Sequence, residues 1–209
     1  KKNLFQVRHR AYVGFFKHRR KHNQIAYENF TKHGPLAVLP CPDKTKKYST
    51  FIYSTTDKVS EKFLSSNLNK FFTDTHGKIL MNNKIFEFPI SAHLTRPLKK
   101  NFILLGDNFR AIHPVAGQGW NLGVKDIQTL SKLLDEYSIS EKRFDEIFFS
   151  RRQIENFSYL VFTNTLNNFY ESDTILSKKI IKGGFFVLNN FSFLKKIFIN
   201  QAMGVKNLI

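Results

Sequence analysis

The segment from Asn101 to Leu134, NFILLGDNFRAIHPVAGQGWNLGVKDIQTLSKLL, constrains the fold more than any other part of this chain. Phe102 to Leu105 is a short, continuous apolar run, the pattern of a strand buried on both faces, and Gly106-Asp107 ends it. Gly117 and Gly119 free the backbone to turn tightly and to approach a ligand closely. From about Gly119 the apolar residues Trp120, Val124, Ile127, Leu130 and Leu134 recur at helical spacing. A Gly-rich turn that opens a helix presents backbone N–H groups and a positive dipole end, which suit an anionic or electron-rich group. Asp107, just past the carboxyl end of the expected strand, stands where open α/β sheets place ligand contacts, and a carboxylate there accepts from ligand hydroxyls. The same residues also read as a buried strand, a turn aspartate and a Gly-tolerant helix start that need no ligand.

The residues Gly106, Asp107, His113, Pro114, Gly117, Gln118, Gly119, Asn121, Gly123 and Asp126 follow the order G-D-x₅-H-P-x-x-G-Q-G-x-N-x-G-x-x-D. This order resembles the second flavin motif of the para-hydroxybenzoate hydroxylase class of FAD monooxygenases. Within that class it is most similar to the hydroxylases of ubiquinone biosynthesis, the 2-polyprenyl-6-methoxyphenol hydroxylase type. Ala26 to Pro40 resembles that subfamily's substrate-domain sheet, and Gln201 to Gly204, QAMG, resembles its C-terminal ending.

The resemblance implies FAD as cofactor, with NAD(P)H or another electron donor and dioxygen. It implies hydroxylation of a polyprenylated phenol through a flavin hydroperoxide, chemistry that belongs to the cofactor, so no catalytic acid, base or nucleophile is named. The implied cofactor-binding residues are Gly106, Asp107, Pro114, Gly117, Gln118, Gly119, Trp120 and Asn121. Asp107 would hold the ribityl chain, and the loop from Pro114 to Asn121 would lie along the isoalloxazine ring. Three residues depart from the family pattern after Asp107: Asn108, Phe109 and Arg110 stand where two Ala and a His are usual. Phe109 puts bulk close to the expected cofactor, and Trp120 replaces a smaller apolar residue.

The implied fold is a partial FAD-monooxygenase fold of mixed α+β and α/β character. A mixed β-sheet substrate domain (1–98) precedes the flavin-site strand, Gly-rich loop and helix (99–136), and a C-terminal helical region (137–209) follows. The family's N-terminal Rossmann βαβ, with its G-x-G-x-x-G turn, is absent from this sequence. The expectation is therefore of the C-terminal half of such an enzyme, beginning inside the substrate domain. A truncated, non-catalytic remnant unable to bind FAD alone is the alternative that this organisation leaves open.

At 209 residues and 42% hydrophobic content the chain can bury a substantial core. Its single cysteine, Cys41, excludes an intramolecular disulfide and agrees with a reducing cytoplasm. The net charge of +17 points to anionic surfaces, either lipid headgroups or nucleic acid, or to compositional bias of the source genome. Residues 1–21 hold eight Lys or Arg and no acid, with Tyr12, Phe15 and Phe16 interleaved, yet they match no nucleic-acid-binding motif. His18 and His22 have the i, i+4 spacing of helical metal ligands, but nothing completes a set, and a solvated charged face is the expectation.

Strands are expected over 11–16, 25–30, 36–39, 47–53 and 79–90, with turns at His33-Gly34-Pro35 and Pro40-Cys41-Pro42-Asp43. Residues 60–75 read as a helix with Ser60 as N-cap and Gly77 beyond its end. His93 and Arg96 lie on the connection to the flavin segment, and no role follows for them. After a break at 138–140, a helix is expected over 140–165, with a second over 185–200 carrying Val187, Phe191, Leu194 and Phe198 on one stripe. Lysines bracket that stripe, so it reads either as core packing or as a basic amphipathic helix at a membrane interface. No window is apolar enough to span a bilayer. The expected partners are the phenol, the surface of the inner membrane and a quinone-biosynthesis protein complex, at a cytoplasmic location.

Overall fold

The computed structural model describes residues 9–95, 102–114, 117–137, 143–172 and 174–202. The chain divides into two compact units, one within Val7–Ile90 and one within Ser91–Ile209.

In the first unit, alternation of apolar and polar residues builds a sheet. Strands β1 (Arg10–His18), β2 (Tyr27–Thr31), β3 (Gly34–Pro40), β4 (Tyr48–Thr55) and β5 (Ile79–Pro89) pair antiparallel in the order β2-β3-β4-β1-β5. The register sets Tyr12 opposite Tyr53, and Leu36 opposite Tyr53 on its other side, while Val38 faces Phe51. One face of the sheet thus carries the large buried side chains, because residues two apart share a face. Helix α1 (Glu61–His76) covers that face with Leu64, Leu68 and Phe72. Each large apolar side chain buried there contributes about 1.5–3 kcal/mol. As expected, the Ser60 side chain caps the helix by accepting from Phe63 N at 3.2 Å, and Gly77 ends it at φ +73°. The opposite face of the sheet keeps Phe15, Phe86 and Phe88 exposed.

His18 and His22 do not belong to a solvated face: both are buried, and with His76 they form a cluster at the end of the sheet. The chain after β1 folds back, with His22 N donating to Lys46 O at 3.0 Å, and this carries the ring inside. His18 donates through Nδ1 to Arg20 O at 2.6 Å and accepts at Nε2 from Ser49 Oγ at 3.0 Å.

In the second unit the expected strand over Phe102–Leu105 is absent. The run is extended at Leu105 (φ −124°, ψ 157°), but no described strand pairs with it, and the chain passes directly into a single-turn helix, α2 (Gly106–Phe109). A two-stranded ladder of β6 (His93–Leu94) and β7 (Arg110–Ala111) brackets this turn. Helix α3 (Gly119–Glu136) packs on α2 and on α4 (Phe144–Glu171), whose first turn holds Asp145 and Glu146 at the positive dipole end. Phe109, Leu133, Phe144 and Phe148 form the core between them.

The helix expected over 185–200 is two helices, α5 (Ile175–Asn190) and α6 (Ser192–Ala202). The backbone at Phe191 is extended (φ −111°, ψ 94°), and Asn190 before it turns its side chain back to Phe186 O at 2.8 Å, the local competition that makes Asn a poor helix former. The four stripe residues therefore do not share a helix. Arg96, the break at 138–140 and the last two residues of the QAMG ending lie outside the described residues.

Candidate functional site

The Gly106 turn and the start of α3 are tied together by one buried carboxylate. Asp126 sits within α3, wholly buried, and its Oδ2 accepts from Gly106 N at 3.1 Å. The same oxygen accepts from Arg110 at 2.5 Å, and Oδ1 accepts from Arg152 Nε of α4 at 2.9 Å. Arg152 also pairs with Glu155, which in turn takes Lys125 Nζ at 2.6 Å. Burial pulls the Arg110 guanidinium below its ordinary value, with Asp126 opposing that pull. Burial also works against the charged form of Glu155, but Lys125 and Arg152 outweigh it and hold its carboxyl below the usual range.

This network fixes the backbone on which the exposed Asp107 side chain stands. His93 adds a second anchor: its Nε2 lies 3.1 Å from the carbonyl oxygen of Asp107, so the buried ring donates through Nε2–H. Sequence reasoning assigned His93 nothing, since a His in a basic connection carries no signal of its own. It likewise missed Arg110 and Arg152 as partners of Asp126. The signal for that network was Arg152, a charge in a helix whose Phe144 and Phe148 face an apolar core; Arg110, in β7, gave none.

The remaining expected residues cluster at the α3 start. Gly106 and Gly117 hold φ +55° and +59°, conformations that L side chains rarely adopt. A Cβ at Gly106, Gly117 or Gly119 would meet nothing within 4 Å, so space stands open at all three. Gln118 precedes the helix without capping it through its side chain, and its Oε1 accepts from Asn121 Nδ2 at 3.0 Å. The first amides of α3 therefore receive no side-chain cap from that residue. Pro114 is exposed, His113 is buried, and Trp120 is 82% exposed beside the helix start. Phe109, expected close to the cofactor, instead points into the core, with its ring centroid 5.9 Å from Phe148 and 5.7 Å from Phe149. Its bulk is thus absorbed by α4.

An exposed carboxylate, open backbone at three glycines and a helix start that the Gln118 side chain does not cap can bind a polyhydroxylated, electron-rich group. Among the described residues no group of three or more His, Cys, Asp or Glu could hold a metal ion.

The profile of the family described as FAD binding domain matches residues 7–143. Among curated proteins, the chain is 29% identical over 225 residues to the ubiquinone biosynthesis monooxygenase COQ6 of Dictyostelium discoideum, covering 85% of this chain and 44% of that protein. It is 24% identical to the ubiquinone hydroxylase UbiL of Rhodospirillum rubrum, covering 95% and 48%. The chain thus spans about half the length of these curated relatives. Among solved structures, p-nitrophenol 4-monooxygenase PnpA from Pseudomonas putida superposes with a TM-score of 0.65 at 17% identity, over 97% of this chain and 55% of that one. PqsL of P. aeruginosa, in complex with 2-aminobenzoylacetate, gives 0.60 at 19% identity, over 80% and 49%. The fold is that of part of an FAD-dependent monooxygenase, and the chain belongs to the FAD binding domain family.

Proposed function

We propose that this chain supplies the flavin-ring site and the substrate-domain sheet of an FAD-dependent monooxygenase that hydroxylates a polyprenylated phenol in ubiquinone biosynthesis. The observation that carries this reading is the Asp126 tie, which joins the Asp107 turn to α3 while Gly106, Gly117 and Gly119 face open space. FAD fits this donor set. Asp107 would accept from ribityl hydroxyls, and the backbone from Gly117 to Asn121 would face the ring's pyrimidine edge, with Pro114 and Trp120 alongside. When bound, FAD supplies the activation of dioxygen, with electrons from NAD(P)H or another donor. The chain's own residues bind, orient and stabilise. The positive end of α3 favours negative charge on the ring, and the buried Asp126 network keeps that end fixed before binding.

Support for the substrate class comes from two sides. The sheet leaves an apolar face open, with Phe15, Phe86 and Phe88 exposed, which suits an aromatic ring or a prenyl chain. The relatives named above act in ubiquinone biosynthesis by their names. The partners in this reading are the phenol and a quinone-biosynthesis protein complex on the cytoplasmic side of the inner membrane.

Titration of the chain with FAD, followed by flavin fluorescence beside an Asp107→Ala control, tests the reading. Saturable binding lost in the control is the expected result. A folded chain that binds no FAD would restrict the proposal to a longer polypeptide and favour the non-catalytic alternative for this one.

A further inference from the structure

Helices α5 and α6 expose large apolar side chains over most of their length. On α5, Ser177, Ile181 and Leu188 are buried or half-buried, while Ile175 and Phe186, roughly opposite by helical geometry, are 76% and 67% exposed. On α6, Phe193 is 69% exposed, and Phe191 at the joint between the helices is 57% exposed. A helix that is apolar on its solvent side requires a cover.

Charge identifies the cover. The exposed apolar residues of α3 and α4 share their helices with Asp135, Glu136, Asp145 and Glu155. From Thr174 to Ala202 there is no Asp or Glu, and five lysines are interspersed with the apolar residues. Lys179, Lys182, Lys195 and Lys196 are exposed beside them. At 16 and 11 residues, the helices reach about 24 Å and about 17 Å, short of a hydrocarbon core of about 30 Å. No described helix is long and apolar enough to cross a membrane.

We propose that the α5–α6 pair lies in the interface of an anionic phospholipid bilayer, with its phenylalanines in the acyl boundary and its lysines at the headgroups. Apolar insertion holds the pair in place, and charge selects the leaflet. The surface is independent of the flavin motif, so its failure leaves FAD binding untouched.

Flotation of the full chain with vesicles of phosphatidylcholine plus phosphatidylglycerol, beside vesicles of phosphatidylcholine alone, tests the proposal. Binding to the anionic vesicles is expected, weakening as salt rises. In Lys179→Gln/Lys182→Gln it should fall by up to about fivefold per lysine removed. Phe186→Ser/Phe193→Ser should abolish flotation while circular dichroism and FAD titration stay unchanged. Equal binding to neutral vesicles, or flotation that survives the phenylalanine changes, overturns the proposal. So does a vesicle-free dimer that these changes convert to monomer, since a second copy would then be the cover.

Discussion

Arg152 of α4 sets its Nε 2.9 Å from Oδ1 of Asp126 on α3, with both side chains buried. Through its other oxygen the same carboxylate holds Gly106 N and Arg110. Two helices and the Gly106 turn therefore depend on one charge. Asp126→Asn would leave two buried guanidinium groups facing a neutral amide, and breaking a buried pair in this way costs about 3–5 kcal/mol. Urea unfolding should show a loss of that size, with FAD affinity reduced as the Gly106 turn loosens. An unchanged midpoint would show that the network is not what holds the turn.

Asp107→Ala should behave in the opposite way. The side chain is exposed and its carbonyl remains anchored by His93, so stability should move by less than about 0.5 kcal/mol. FAD affinity should fall by roughly 10- to 100-fold, the range for a hydrogen bond to a charged group. Fluorescence titration and a thermal melt on the same preparation separate the two effects. Equal FAD affinity would remove Asp107 from the site.

The contrast between Asp107 and Phe109 shows where sequence reading stops. That the apolar run ends at Gly106-Asp107 and that a helix opens at Gly119 was legible, because both are local patterns. Phe109 lies two residues past Asp107, where the family resemblance set its bulk close to the cofactor, but one helical turn rotates its ring against Phe148 and Phe149. The Ser60 cap and the turn at Gly34 were readable for the same local reason. Phe102–Leu105 was misread because a strand exists only where another strand pairs with it, a property that no four residues contain. Arg152 lies 26 residues from Asp126, and only the packing of α3 on α4 brings them together. The histidine cluster was missed because His18, His22 and His76 meet through a fold-back after β1 and the far end of α1.

Gly34 turns the chain between β2 and β3 at φ +125°, and a Cβ there would lie 1.9 Å from Ser54 O. Neither the conformation nor the space admits a side chain, and the neighbour is backbone in the middle of the sheet. Gly34→Ala should destabilise the sheet unit by more than about 2 kcal/mol, combining strain with a displaced strand. Gly119→Ala, which meets open space, serves as the control and should leave the unfolding free energy within about 0.5 kcal/mol. A mild Gly34→Ala phenotype would mean that the β2–β3 turn relaxes freely.

The histidine cluster makes stability depend on pH. His76 is buried, its Nδ1 meets Thr75 Oγ1 at 2.8 Å, and Thr75 gives its own proton to Phe72 O, so the ring donates through Nδ1. Its buried Nε2 has no partner, and a proton added there would find no acceptor. Burial, followed by repulsion from His18 and His22, lowers its pKa to about 4. Burial lowers His18 as well, partly opposed by its bond to the Arg20 carbonyl. Tyr27, Phe16 and Phe72 supply the other walls, and the Asp43 carboxylate lies 3.9 Å from His22 Nε2. Because the folded state resists a proton that the unfolded chain accepts near pH 6.5, stability is full above that pH. It is lost as pH falls from about 6.5 toward about 4, with no further loss from this group below. The loss should reach roughly 2–3 kcal/mol from His76 alone. Urea midpoints at about pH 7.5 and about pH 5, for the natural chain and for His76→Leu, provide the measurement. The natural chain should lose stability between them and the variant should lose much less, whereas parallel losses would assign the acid sensitivity to other groups.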